Sequence, residues 1–358
     1  MIRFAWIQAR VQTLSVAAVL AVTAIALAVS GPHLVHLYNT AVAGCSVRGD
    51  CSTAITQYLR NDRAMRNWLN LIVGAGPGLL GIFWGAPLVA RELETGTFRL
   101  AFTQSVTRRR WLEVKLILIG ALSTAAVGLL SLIVTWWASP LDRANMDIYN
   151  TFDERDIVPI GFALFAFVLG VTAGLIIRRV VPAMAATLVA FVGVRLAFTK
   201  WVQPNLISPL HRSDPLTADS IVGYGSTSLF GSSSLQIAPP NMPNSWIYST
   251  RLVDSSGHSL TSAYLRSACP DVINAGGGTS GPGGLGIGSS GSHIQAPPQA
   301  QERLHQCGAK VAAIYHEVIT YQPSSHYWNL QWIELGVYAA GSIALAALCV
   351  WWIRRRLT

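Results

Sequence analysis

The chain has 358 residues, 51% of them hydrophobic and only 12% charged, with a mean hydropathy of +0.41. Soluble domains carry about 25% charged residues, so this composition excludes an ordinary soluble enzyme and a disordered chain and points to several membrane spans. The net charge of +9 suits either a nucleic-acid binder or a membrane protein with basic cytoplasmic loops, and the placement of the charge decides between them.

A helix crossing the hydrocarbon core needs about 20 apolar residues. Six segments qualify, roughly residues 13–30, 69–90, 112–137, 157–177, 181–201 and 330–353. The first is read as a permanent helix and not a signal peptide. The box Val42-Ala43-Gly44-Cys45 resembles a lipoprotein cleavage site, but residues 31–44 separate it from the apolar stretch. Residues 1–10 are expected along the inner interface. The second span contains Gly76-Pro77-Gly78, a candidate kink and moving part, since Gly and Pro are tolerated in membrane helices. Pro182 opens the fifth span, where a missing N–H is harmless.

Orientation follows from Lys and Arg. With the N-terminus inside, the inner segments hold thirteen basic residues against Glu92, Glu94 and Glu113, while the rest of the chain is nearly balanced. Both termini are therefore expected in the cytoplasm. The positive balance reflects topology, and nucleic acid is not expected as a partner.

The long inner loop, residues 91–111, joins the second and third spans. Gly96 can end one helix with positive φ and Thr107 can N-cap the next. Phe98, Leu100 and Phe102 form an amphipathic piece between them. Such a loop is either a docking surface for a cytosolic partner or a solvated linker with topological arginines.

Three segments face outside, and the last, residues 202–329, is long enough for a small domain. Residues 246–253 read as a strand entering a turn. Residues 275–292 are a Gly- and Ser-rich low-complexity loop. Leu304, Val311, Tyr315 and Val318 make a helical stripe over 301–321. Cys45, Cys51, Cys269 and Cys307 all fall outside, and Cys349 lies in the last span. Even cysteine usage on the oxidising side suggests two disulfides. Pairing within a segment favours 45–51 and 269–307 among three connectivities, with four free thiols as the alternative. His33 and His36, or His305 and His316, fall short of a metal ligand set, so no metal site is expected. No catalytic arrangement can be argued from spacing.

Arg195 in the fifth span and Glu334 in the sixth lie at similar expected depths, about 9 Å and about 6 Å below the outer surface at 1.5 Å per residue. They either pair, within one chain or across a dimer, or Arg195 snorkels to the interface alone.

The run Gly85-Ala86-Pro87-Leu88-Val89-Ala90-Arg91-Glu92-Leu93-Glu94-Thr95-Gly96-Thr97, then Thr103-Gln104-Ser105-Val106-Thr107-Arg108-Arg109-Arg110-Trp111, resembles the permease subunits of type-2 ABC transporters, especially actinobacterial ones. The tail resembles them too, in Tyr321-Gln322-Pro323, Trp328, Gln331-Trp332-Ile333-Glu334 and the closing Arg354-Arg355-Arg356. The resemblance implies that Arg91, Glu92, Glu94, Gly96 and Thr97 belong to a coupling region contacting a separate ATP-binding subunit. It implies two such subunits and a second permease, alike or different, in a bacterial plasma membrane, with export as the direction. ATP and Mg would sit on the partner, and no cofactor on this chain. None of the three lysines, Lys115, Lys200 and Lys310, sits in a G-x-x-x-x-G-K-[ST] loop, in keeping with ATP hydrolysis elsewhere and with a transporter permease that is not itself an enzyme.

The fold class expected is an all-α polytopic membrane protein with six transmembrane helices, both termini cytoplasmic, and a mixed α/β extracytoplasmic domain between helices five and six. The domains are residues 1–201 with the coupling loop at 91–111, residues 202–329, and residues 330–358. The competing reading is a membrane-anchored sensor or scaffold whose outer domain reads a ligand.

Overall fold

The computed structural model describes residues 2–42, 63–96, 107–145, 147–226, 233–238, 240, 242–272 and 298–356. Among them, six helices are long and apolar enough to cross a membrane: Ala17–Thr40, Asn67–Thr95, Arg109–Pro140, Val158–Ile177, Val180–Asn205 and Ser324–Arg355. The chain forms two units, one of Met1–Ser208 with Ser324–Thr358, the other of Pro209–Pro323.

In the first unit, α1 (Ile2–Leu37) runs past the expected end at residue 30 and finishes in a π turn at Tyr38–Val42. Gly31-Pro32 looks like a break in the sequence. Proline is tolerated inside a membrane helix when the surroundings satisfy the freed backbone. Gly31 lets α1 lie against α4 (Arg108–Asn145), for a Cβ there would stand 2.8 Å from the Trp136 ring. Between these two come α2 (Arg63–Leu80), a π turn at Gly81–Gly85, and α3 (Ala86–Thr95). Gly76, Pro77 and Gly78 lie within α2, and the change of pitch comes after them, at Gly81–Gly85.

The centre of this unit is α5 (Val158–Ile177), which packs against α2, α3, α4, the next helix α6 (Val180–Ala197) and the last span. Glycine allows this. Gly170 lies against the Gly81 carbonyl, where an added Cβ would come within 2.2 Å of the oxygen. Gly174 meets the Ala86 carbonyl, Gly81 the Ala166 carbonyl and Gly85 the Phe167 carbonyl, each with a Cβ clash at 2.4 to 2.5 Å. Both helices carry their glycines four apart, the small-residue spacing through which membrane helices bring backbones together. Around this crossing, Leu112, Ile119, Phe167, Leu175, Cys349 and Ile353 form a buried apolar cluster. Toward the outside, α1 and α6 present apolar side chains, with Val29 74% and Val189 72% exposed, as lipid-facing helices do.

The second unit holds a three-stranded antiparallel sheet in the order β1-β5-β4 and a two-stranded one, β2-β3. The strands are β1 (Leu210–Pro215), β2 (Ile221–Ser226), β3 (Ser233–Ile237), β4 (Trp246–Asp254) and β5 (Tyr315–Gln322). Its helices are α7 (Ser262–Ala268) and α8 (Pro298–Ala312), and the chain then returns to the first unit as α9 (Tyr327–Arg356). Cys269 and Cys307 form a disulfide with a Cα–Cα distance of 5.3 Å. It lies in a core with Leu252, Leu265, Leu304, Val311 and Tyr315. Cys45 and Cys51 lie outside the described residues.

One expectation here is corrected. The helical stripe over 301–321 holds only to Ala312, and from Tyr315 the chain is the central strand of the sheet. Tyr315, Glu317 and Ile319 are buried on alternate residues. The run Val318-Ile319-Thr320-Tyr321 is β-branched and aromatic, the composition that suits a pleated surface. The apolar spacing of 311, 315 and 318 had matched a helix by coincidence across the junction.

Candidate functional site

The informative residues are charges held where lipid or packing would not ordinarily hold them. They gather at the two ends of the bundle.

At one end, α3 stops at Gly96, which takes φ 72° in the left-handed region, as a glycine C-cap does. Thr97 lies outside the described residues. The next described residue, Thr107, begins α4: the Arg110 N–H lies 3.4 Å from its Oγ1, and the Trp111 N–H donates to its carbonyl at 3.0 Å. The sequence set Glu92 and Glu94 together as partner contacts, and the structure separates them. Arg91 and Glu94 are exposed at the tip of α3. Glu94 also accepts the Val180 N–H at 2.9 Å, capping the start of α6, where a carboxylate meets the positive end of the helix dipole. Glu92 turns inward. Its carboxylate receives a hydrogen bond from Lys115 Nζ of α4 at 2.5 Å, with side chains only 11% and 4% exposed. Lys115 also reaches the Leu88 carbonyl at 3.4 Å and lies 4.6 Å from the Trp111 ring centre. The two helices that bracket residues 97–106 are thus fastened by a buried ion pair.

Lys115 was not singled out by the sequence reading. Its signal was available: a lone lysine near the start of an apolar helix, with an unmatched glutamate at the end of the preceding one.

At the opposite end, where α9 begins, Tyr327, Gln331, Glu334 and Tyr338 share one buried face of that helix. Glu334 is 0% exposed, and its Oε1 lies 3.8 Å from Arg195 Nη1 within the same chain. Arg195 is held on two other sides. Its Nη2 donates to Asp153 Oδ2 at 3.1 Å, and its guanidinium lies 3.7 Å from the Phe162 ring centre. Gln203 Nε2 bridges the two acids, donating to Asp153 Oδ1 at 3.1 Å and Glu334 Oε2 at 3.2 Å. Next to it, burial first and then the Asp153 carboxylate push Glu154 up to about 7, against the pull of Arg195. A second group adjoins. Arg155 pairs with Asp142 and donates to Tyr327 Oη at 3.1 Å. Gln331 Oε1 accepts from the Ile157 and Val158 N–H groups at 3.2 and 3.1 Å, satisfying the otherwise orphaned donors that open α5. The entrance of α5, the far end of α6 and the start of α9 are joined by these polar contacts and by the Tyr338 ring, which meets Phe162 at 4.8 Å and Phe198 at 5.0 Å. Asp153 and Gln203 carried no signal in the sequence, because glutamine and aspartate near a span end are ordinary there, and Gln331 stood out only as part of the tail that resembles the family.

Arg195→Glu and Glu334→Arg are each expected to lower the detergent melting midpoint and the yield of folded protein. Breaking a buried pair costs about 3–5 kcal/mol. The double exchange should recover part of the loss and not all, because the carboxylate introduced at position 195 would face Asp153. Adding Asp153→Asn to the exchange should then raise the midpoint again. A double exchange no better than the worse single variant would show that Arg195 and Glu334 act independently.

No curated protein and no solved structure matches the chain. The family model described as ABC-2 membrane transporter related matches residues 17–203. That stretch runs from the first span into the end of the fifth and holds the segment between α3 and α4, the Glu92–Lys115 pair, the glycine crossing, and Arg195 with Asp153 and Gln203. With six apolar helices built around those features, the chain is a multi-pass membrane protein and belongs to the ABC-2 membrane transporter related family.

Proposed function

We propose that this chain is the membrane-spanning permease subunit of an ATP-driven exporter, coupled to a separate ATP-binding subunit through the segment between α3 and α4. Family membership supports a transporter permease, and membrane subunits of this family usually partner with ATP-binding subunits. The observation that carries the coupling reading is the buried Glu92–Lys115 pair beneath exposed Arg91 and Glu94. A push on residues 91–111 reaches α3 and α4 together, since a desolvated ion pair holds two elements in one arrangement. From α3 the displacement passes to α5 through glycine contacts too close to yield. Glu94, resting on the start of α6, offers a second route.

In this reading the termini and the α3–α4 segment are cytoplasmic, and residues 209–323 lie outside a bacterial plasma membrane. The excess of inner arginines supports that orientation. Two permeases, alike or different, stand with two ATP-binding subunits, which hold ATP and Mg. The path runs between the permeases.

The test is capture of the tagged chain from its native membrane, with assay of any ATPase that comes with it. The expected result is a complex whose ATPase activity rises in the presence of this chain. Single cysteines at Ser105 and Ser280, in a background without native cysteines, should label from opposite sides of the membrane. Absence of any associated ATPase, with a response to ligand at the outer face, would favour the sensor reading instead.

A further inference from the structure

Among the described residues, strand β4 has a single neighbour in its sheet, β5. Among the described residues its other edge is covered only in part, by the return of its own chain. Leu260 N–H donates to the Leu252 carbonyl at 2.9 Å, and Asp254 N–H donates to the His258 carbonyl at 3.0 Å. Residues 252 and 254 therefore direct their backbone groups away from β5. That direction alternates along an antiparallel strand. Thr250 is two residues before Leu252 and beyond the irregularity at Ile247/Ser249, so its N–H and C=O point to the same open side. A strand edge left this way is a template for another chain.

Beside this edge lies a pocket of about 330 Å³. Leu235 and Ile237 of β3, Leu252 of β4, Leu260 in the return after β4, and Leu265 of α7 supply aliphatic walls from four segments of the unit. Arg251 lines the same pocket; it is exposed and in no ion pair among the described residues. The volume is at the small end of ligand pockets, which run from about 300 to about 1,000 Å³, and suits one or two aliphatic side chains.

We propose that the open edge of β4 and this pocket bind an extended peptide. Its main chain pairs with the N–H and C=O of Thr250. One aliphatic side chain fills the pocket, and a carboxylate, from an acidic residue or a free C-terminus, meets Arg251. An acyl chain would fill the aliphatic walls and leave the strand edge unused, and a sugar would match neither. Strand addition with a pocket for alternate side chains uses all three features. The proposal concerns binding at residues 209–323 and stands whether or not the chain is an exporter.

The test uses the full chain in lipid nanodiscs and a hexapeptide of alternating valine and threonine. The peptide carries one photoactivatable leucine at its centre and a free carboxyl terminus. Crosslinks mapped by mass spectrometry are expected within residues 233–238 and 250–265. Arg251→Glu should lower labelling about tenfold, the scale of one or two hydrogen bonds to a charged group. Two isomers N-methylated on alternate residues keep every side chain and block pairing on one edge or the other. With the unaltered protein, one isomer should lose about tenfold in labelling and the other should keep it. If both isomers label as strongly as the parent, edge pairing plays no part and the proposal fails. Complete displacement of the parent peptide by an equal concentration of decanoate would also overturn it and assign the pocket to an acyl chain.

Discussion

Gly170→Leu is expected to leave little folded protein after extraction, while Gly74→Leu, on α2, should behave as the unaltered chain. At Gly170 the first added atom would stand 2.2 Å from the Gly81 carbonyl oxygen and 2.8 Å from the Ala86 nitrogen; at Gly74 nothing lies within 4 Å. The obstacle is backbone on the facing helix, so no rotamer relieves it and α5 must move away from α2 and α3. Overpacking a core costs about 1–3 kcal/mol where side chains can shift, and here the cost should be about 3 kcal/mol or more because they cannot. Gly81→Leu, on the facing side, should do the same, since its Cβ would meet the Ala166 carbonyl oxygen at 2.4 Å. Size-exclusion profiles and melting midpoints in detergent would report both. A Gly170→Leu protein with a normal midpoint would mean that the crossing is looser than its geometry.

Lys115→Met should be more harmful than the double substitution Glu92→Gln with Lys115→Met. The single change leaves the buried Glu92 carboxylate without its Lys115 partner, at a cost of about 3–5 kcal/mol. Removing both charges leaves a polar group and an apolar one of similar size, and much of the stability should return. The second measurement concerns coupling. If the pair transmits motion, the double variant should assemble with its ATPase partner in normal yield yet show reduced transport-linked ATPase activity. If Glu92 met the partner directly, Lys115→Met alone would leave binding to the partner intact once folding is allowed for. Glu94→Lys is a useful contrast. Glu94 is exposed, so its ion-pairing contributes at most about 1 kcal/mol to stability, apart from the cap on Val180. A large loss of partner binding in that variant would place the contact at the tip of α3.

The two ends of the bundle differ in what the sequence could reveal. The Gly81 and Gly170 crossing was present in plain form, as glycines four apart on two apolar segments, but spacing alone does not say which helices meet. The Gly76-Pro77-Gly78 run drew attention as a kink because proline removes a hydrogen bond. The structure keeps it within α2 and places the change of pitch at Gly81–Gly85, where close packing against α5 sets the backbone. Arg195 and Glu334 were singled out because charge within lipid is costly. Their distance, and the presence of Asp153 and Gln203 between them, depended on how α6, α9 and the lead-in to α5 fold together.

What the sequence determined by itself was the set of spans and the class of protein. Both rest on properties summed over many residues: the length of apolar runs, the scarcity of charge, and a family motif in one continuous stretch. Such signals survive ignorance of the fold because a helix that satisfies its own backbone needs no distant partner to be recognised. The strand Tyr315–Gln322 was missed for the opposite reason, since a strand is defined by neighbours, and β1 and β4 lie far from it in sequence. Only the tertiary structure decided the roles of the single charges. Glu92 and Glu94 are two residues apart and equivalent in composition, yet one is buried against Lys115 and the other caps α6. The helix turns them in different directions, and burial fixes what each carboxylate can do. Ion pairing between residues 23 and 139 positions apart is a property of packing, and no local pattern encodes it.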